Sequence, residues 1–214
     1  TYASTTQDVD HVTSFNSDGF AMGGDNGSNR SGRTFASWTF RKAPKFFDVV
    51  TWTGDGQSTR SIPHSLGAVP GFITIKRTNA TGGWYCWHRN FTGPGLYLNS
   101  TGIFPSDPTA YSSTQTDSDI ALSGTLANAS GTQYVAYLFA HNDGDGEFGP
   151  TGDQDIIKCG SFTTDGSGNF SADLGWEPQW IIFRNSSGTD QWTMLDTMRG
   201  WTTEFKGQRL RANL

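Results

Sequence analysis

The chain has 214 residues, 15 of them basic and 20 acidic, for a formal net charge of −5, and 34% are hydrophobic. That balance excludes a general nucleic-acid binder, which needs clustered Lys and Arg against phosphates. It also excludes a helical membrane span, since no run of about 18 apolar residues occurs.

The length suits one large β domain or two small ones. Charged residues make up 16%, against the roughly 25% usual for globular chains. Glycine (27 residues) and aromatics (14%) are abundant. This is the balance of an all-β extracellular or virion protein. The chain opens on neither Met nor a charged, apolar leader, and reads as a fragment or an ordered part of something longer. Its local basic clusters, Arg41-Lys42 with Lys45 and Arg209 with Arg211, read as solvated linker or end.

Taken in chain order, the first segment is Phe20-Ala-Met-Gly-Gly24 with Asn29, Ser31-Gly32 and Phe35-Ala-Ser-Trp38. A strand is predicted over Phe46–Thr53, running into a Gly54-Asp55-Gly56 turn. Gly71–Arg77 alternates apolar and polar after Pro70 and reads as a half-buried strand. Ala80-Thr-Gly-Gly83 is a hairpin loop of residues that tolerate unusual φ, and Gly83–His88 is the returning strand. Alternation puts Trp84 and Cys86 on one face and Tyr85 and Trp87 on the other. Gln133–Ala140 is the strongest strand, and its near-continuous apolar run predicts burial on both faces or in a sandwich core. Asn142–Gly152 is rich in turn residues and reads as a boundary linker. Asp155–Phe162 leads into a Thr164-Asp165-Gly166 turn. Gln179–Arg184, the Asn185–Asp190 loop and Gln191–Asp196 form a last hairpin. Helical periodicity is absent, and short strands with turns about every ten residues predict antiparallel β-sandwich units.

The elements repeat. Leu174, Pro178 and Trp192 follow Leu66, Pro70 and Trp84 at an offset of 108 (174 − 66), and the Asp55-Gly56 and Asp165-Gly166 turns are 110 apart (165 − 55). Phe20–Trp38 recurs as Ile120–Tyr137, with Asn29 and Ser31-Gly32 answered by Asn128 and Ser130-Gly131. Two related copies are therefore expected. Residues 47–149 form a complete central unit, and 1–46 and 150–214 are two half-units. Each half alone would open an apolar sheet face to water. The half-units are expected to pack together as a circularly permuted second unit, with a neighbouring protomer as the other source of cover.

Phe47-Asp-Val-Val-Thr-Trp-Thr-Gly-Asp-Gly56, Ile62–Arg77, Trp84–His88, Leu96-Tyr-Leu-Asn99, Asn128–His141, and Leu174–Trp180 through Met198-Arg-Gly200 together carry a resemblance. The chain resembles tandem β-rich modules in structural proteins of tailed phages, especially those of marine bacteria and cyanobacteria. The resemblance covers nearly the whole chain, through motifs specific in combination and weak singly. It implies a viral structural role and transfers no catalytic residue.

Chemistry is sparsely signalled. Asp55, Asp143, Asp145 and Asp165 each precede Gly, where Asp closes turns. No two carboxylates are nominated as a glycosidase pair. His11, His64, His88 and His141 form no metal pattern, and no nucleophile elbow or P-loop occurs. Asp143-Gly-Asp-Gly-Glu147 begins like a calcium loop, but Phe148 and Gln154 stand where such a loop wants Gly and Glu. Neither metal nor cofactor nor enzymatic activity is expected. Cys86 and Cys159 read as buried free thiols, with a disulfide between them as the other reading. Trp84 repeats as Trp192 and reads as core. Trp87 has no repeat partner, since Leu195 stands there. Tyr85, Trp87, His88 and Tyr97 are the candidate ligand-binding or interface residues, with Tyr111, Trp176 and Trp201 in the same aromatic pool; packing is the ordinary reading of any one of them.

The expected function is a virion structural protein, a tail-fibre or surface-appendage module at the surface of the particle. It would contribute to assembly and host-surface recognition. Its partners would be other virion proteins and itself, with a trimer favoured for a fibre, and host surface glycan as a further partner. A carbohydrate-binding module and a capsid decoration protein are the alternatives.

Overall fold

Short apolar runs punctuated by Gly, Asn and Asp favour strands and turns over helices, and the chain is essentially all-β. The computed structural model describes residues 11–24, 29–91, 95–103, 110–199 and 210–212; Trp201, Arg209 and Gly200 lie outside them. The chain divides into two compact units, Ser4–Phe40 and a larger one of Thr1–Ala3 with Arg41–Leu214.

In the smaller unit, β1 (Val12–Phe15) pairs antiparallel with β2 (Phe20–Met22). The Asn16 amide donates to the Gly19 carbonyl at 2.7 Å across their turn. Phe15, Phe20 and Phe35 are exposed.

The larger unit contains β3 (Phe47–Thr53), β4 (Thr59–Pro63), β5 (Phe72–Arg77), β6 (Tyr85–His88), β7 (Leu96–Tyr97), β8 (Asp119–Ser123) and β9 (Gln133–Phe139). Five of these strands form one antiparallel sheet in the order β3-β9-β5-β6-β7, and β4 pairs with β8 in a second. Alternation sends Trp52, Ile73, Ile75, Tyr85, Tyr134, Ala136 and Leu138 to one face, where they meet Ile62, Ile120 and Leu122 from the second sheet in one core. Each buried Ile or Leu there contributes about 1.5–3 kcal/mol. Trp52 stacks on its cross-strand partner Tyr134, with centroids 5.3 Å apart and planes 13° apart. Their polar ends are satisfied: Trp52 Nε1 donates to the Ala127 carbonyl and Tyr134 Oη to that of Leu126.

The opposite face of the five-stranded sheet is aromatic as well. Phe47 stacks on Tyr137, Phe72 packs against Phe139, and Trp84 stacks on Tyr137 at 5.9 Å. A hairpin of β10 (Trp180–Phe183) and β11 (Thr193–Asp196), followed by a 3-10 turn over Thr197–Arg199, covers part of this face. Trp192 enters a second small core with Cys86 and Leu96, against Phe72 and Ile182. The long apolar run of β9 thus has packing on both sides. Trp84, expected as a core residue, departs from that reading. It is half-buried on the outer face, and its repeat counterpart Trp192 occupies the second core.

The hairpins match closely. β5 pairs with β6 as Ile73↔Trp87 and Ile75↔Tyr85, and β10 with β11 as Ile181↔Leu195 and Phe183↔Thr193, the same register displaced by 108 residues. The counterpart of β3 behaves differently. Residues 155–162, read as leading into the next turn, form no strand. β3 lies at a sheet edge with β9 as its strand neighbour, and a lone extended segment without such a neighbour has no ladder to hold it.

Candidate functional site

The four aromatic and histidine candidates do not converge on one surface. Tyr85 points inward and is buried, and its carbonyl accepts a hydrogen bond from Tyr111 Oη at 2.7 Å. Burial raises the pKa of both phenols. Trp87 and Tyr97 are half-buried on the same inward side, packed against the main core, with Tyr97 5.7 Å from the Tyr85 ring. A side chain at Gly83 would collide with the Tyr97 ring, so the hairpin loop needs glycine there. His88 sits across from Phe72 on β5, and its Nδ1 accepts the Asn90 amide. Burial, then the charges of Arg89 and His141, lower its pKa. The structure therefore unites Tyr85, Trp87 and Tyr97 as packing residues and sets His88 apart.

A denser polar site lies where β10 meets the β7 end. Arg184 donates from Nη1 to the carbonyls of Tyr97 (3.2 Å) and Ser100 (3.1 Å). Its Nη2 reaches the carbonyls of Thr101, Gly102 and Gly188. The guanidinium carbon stands 5.9 Å from the Trp192 ring centroid, and Trp192 Nε1 donates to the Tyr97 carbonyl at 2.7 Å. A planar fork of donors suits several carbonyls at once, and a cation over indole adds to it. Sequence reading missed this site. One signal pointed to it: Lys76 precedes Arg184 by the repeat offset and likewise reaches over its own loop, donating to the Gly82 carbonyl.

A second lock joins the turns. Asn128 is fully buried. Its Nδ2 donates to Asp55 Oδ1 (2.6 Å) and the Gln57 carbonyl (2.9 Å), and its Oδ1 accepts the Asp55 amide and Arg60 Nη1. Gly54 approaches the Ala129 carbonyl so closely that no Cβ would fit. The Gln57 amide and Asn128 hold the Asp55 carboxyl below its ordinary pKa. Asp48 is buried, and burial alone would raise it. Lys42 at 2.6 Å and the amides of Ser65 and Val49 outweigh that and lower it.

The Asp143–Glu147 string is held by the protein's own groups. Lys45 Nζ donates to the Asp145 carbonyl and Glu147 Oε1 (2.7 Å), while the Asp155 carboxylate accepts the amides of Gly144 and Gly146. Lys45 has a φ of 57°, rare for a residue with a Cβ. Its backbone is pinned there by the Leu66 carbonyl and Asn142 Nδ2. Among the described residues no three His, Cys, Asp or Glu side chains are grouped to hold a metal. Both cysteines are free, Cys86 buried and Cys159 partly so. A shallow depression over β4 and β8 is lined by Arg60, Ser61, Ser112 and Ser123 among others.

These features define the class: an all-β module of antiparallel sheets, in which turns are held by buried amide, carboxylate and guanidinium locks. The chain belongs to the family described as a domain of unknown function, DUF7483, whose match spans residues 1–214. No curated protein and no solved structure matches it.

Proposed function

We propose that this chain is a structural module of a phage virion, part of a tail fibre or similar surface appendage, that assembles with copies of itself and with other virion proteins and contributes to host-surface recognition. The observation that carries the reading is a set of apolar side chains left exposed on an otherwise well-packed β protein. Phe162 and Phe170 stack with centroids 4.0 Å apart at the surface, with Phe183 6.5 Å from Phe162. Contiguous exposed apolar surface of this kind marks contact with a partner. The low charge content and the motif resemblance support the same reading. The rigid locks around Asn128 and Arg184 suit presentation of loops on a stiff array.

Gold-labelled antibody against the chain, imaged on intact particles, tests the proposal. Label along a tail appendage is the expected result. Label spread over the capsid would move the reading to a decoration protein, and particles without label would overturn it.

A further inference from the structure

We infer that His141 is an acid-sensitive clamp: its neutral imidazole fixes the chain at Cys159 against the end of β9, and protonation frees that point while the central sheet stays folded.

The clamp is built by the residues that follow β9. The Asn142 amide donates to the Ile157 carbonyl at 2.9 Å, and Asn142 Oδ1 accepts the amides of Ile156 and Ile157. His141 Nδ1 accepts the Cys159 amide at 3.0 Å, and Cys159 Sγ donates to the Ala140 carbonyl at 3.3 Å. The fit is close: a Cβ on Gly71 would lie 2.7 Å from both Cβ and Sγ of Cys159. Beyond Cys159 the character of the chain changes. Every residue from 160 to 173 is exposed, and none belongs to a strand. The bond from Cys159 to His141 thus stands at the border between anchored and exposed chain.

Of these two side-chain anchors only one titrates. An Asn amide oxygen accepts at any pH, whereas an imidazole nitrogen accepts only while it carries no proton. Once protonated, Nδ1 is a donor facing the Cys159 N–H, and the bond is lost. The added charge would face Arg89 and His88 at the end of β6, Lys158 on the held segment, and Asp143 and Asp145 on its own loop. Burial, then Arg89, pushes the His141 pKa down; Lys158 acts the same way, and Asp143 and Asp145 oppose them. A lowered folded-state value means that the clamp is intact above the ordinary imidazole value of about 6.5 and is lost as the pH falls through the lowered one. His88 Nδ1 accepts the Asn90 amide in a similar way, but that bond closes its own turn and does not reach 156–159.

Release moves the border from Cys159 back to Ile157. It lengthens the exposed run that carries Phe162 and Phe170, and it bares the Cys159 thiol. The β10–β11 hairpin keeps its own ties through Arg184 and Trp192.

Cys159 is therefore its own reporter. The full chain is labelled with dithiodipyridine from about pH 8 to about pH 4.5, each rate is taken relative to the urea-unfolded chain at the same pH, and peptide mass spectrometry locates the modified cysteine. The Cys159 rate should rise at least about tenfold on acidification, since each unit of pKa depression changes the opening equilibrium about tenfold. Cys86, buried in the second core, should stay protected and shows that the chain is folded. His141→Asn supplies an acceptor that does not titrate, and the rise should vanish. His141→Leu supplies none, and Cys159 should label fast at pH 8 as well. A native rate without the rise overturns the inference. So do a rise that persists in His141→Asn, labelling of Cys86 in step with Cys159 in the native chain, and a His141→Leu chain whose Cys159 stays as protected as the native one at pH 8.

Discussion

Every polar atom of the Asn128 side chain is engaged, and the residue bridges two turns 73 positions apart in the chain. Asn128→Ala would leave Asp55 and the Gln57 carbonyl without that donor, at a cost of about 1–3 kcal/mol in unfolding free energy measured by urea titration. The carboxylates set the pH response. Asp48, Asp55 and Asp155 have folded-state pKa values below their ordinary ones. Their contribution is complete above about pH 4 and is lost as the pH falls through those lower values. His64, His88 and His141 are also lowered, chiefly by burial. Their contribution is complete above about pH 6.5 and likewise declines on acidification. Urea midpoints should therefore hold from pH 8 to 7 and fall steadily from 6 to 3, with Asp48→Asn lower at pH 7 and flatter below pH 4. The sequence marked Asp55-Gly56 as a turn from local chemistry alone. The bond to Asn128 was not legible, because it joins turns 73 positions apart; apart from that turn, the sequence marked Asn128 and Asp55 only as repeat positions.

Strands followed the same division between local and distant causes. β3, β5, β6, β9, β10 and β11 were legible because each is a short run of β-branched and aromatic residues bounded by Gly, Pro or Asp. β4 and β8 were not read as strands, being short and mixed in character, with pairing that joins segments about 60 residues apart. The 155–162 segment has the character of a strand and forms none, because a strand also needs a neighbour. Equivalent positions thus differ in weight. Ile73→Ala should cost about 2–5 kcal/mol, whereas Ile181→Ala should cost about 1–2 kcal/mol, because that side chain is partly solvated. Paired thermal melts at low protein concentration measure the contrast. Trp192→Ala removes the anchor of the last hairpin and its bond to the Tyr97 carbonyl. Limited proteolysis should then cut between 150 and 199 while the central five-stranded sheet survives. The aromatic candidates also show where sequence reading stops. Alternation placed Tyr85 and Trp87 on one face, but it could not say that this face is the core.

At the scale of the molecule, the larger unit builds one core between its five-stranded sheet and the β4–β8 pair, while Phe162, Phe170, Ile181 and Phe183 stay exposed. The exposed apolar set is what makes self-assembly the proposed role, and amide hydrogen exchange as a function of protein concentration tests that role most directly. Residues 160–170, which form no strand and carry the exposed Phe162 and Phe170, should exchange freely at low concentration and become protected as concentration rises, while the protection of β9 and β3 stays constant throughout. Protection of that segment that is absent at all concentrations, or present and independent of concentration, would contradict it.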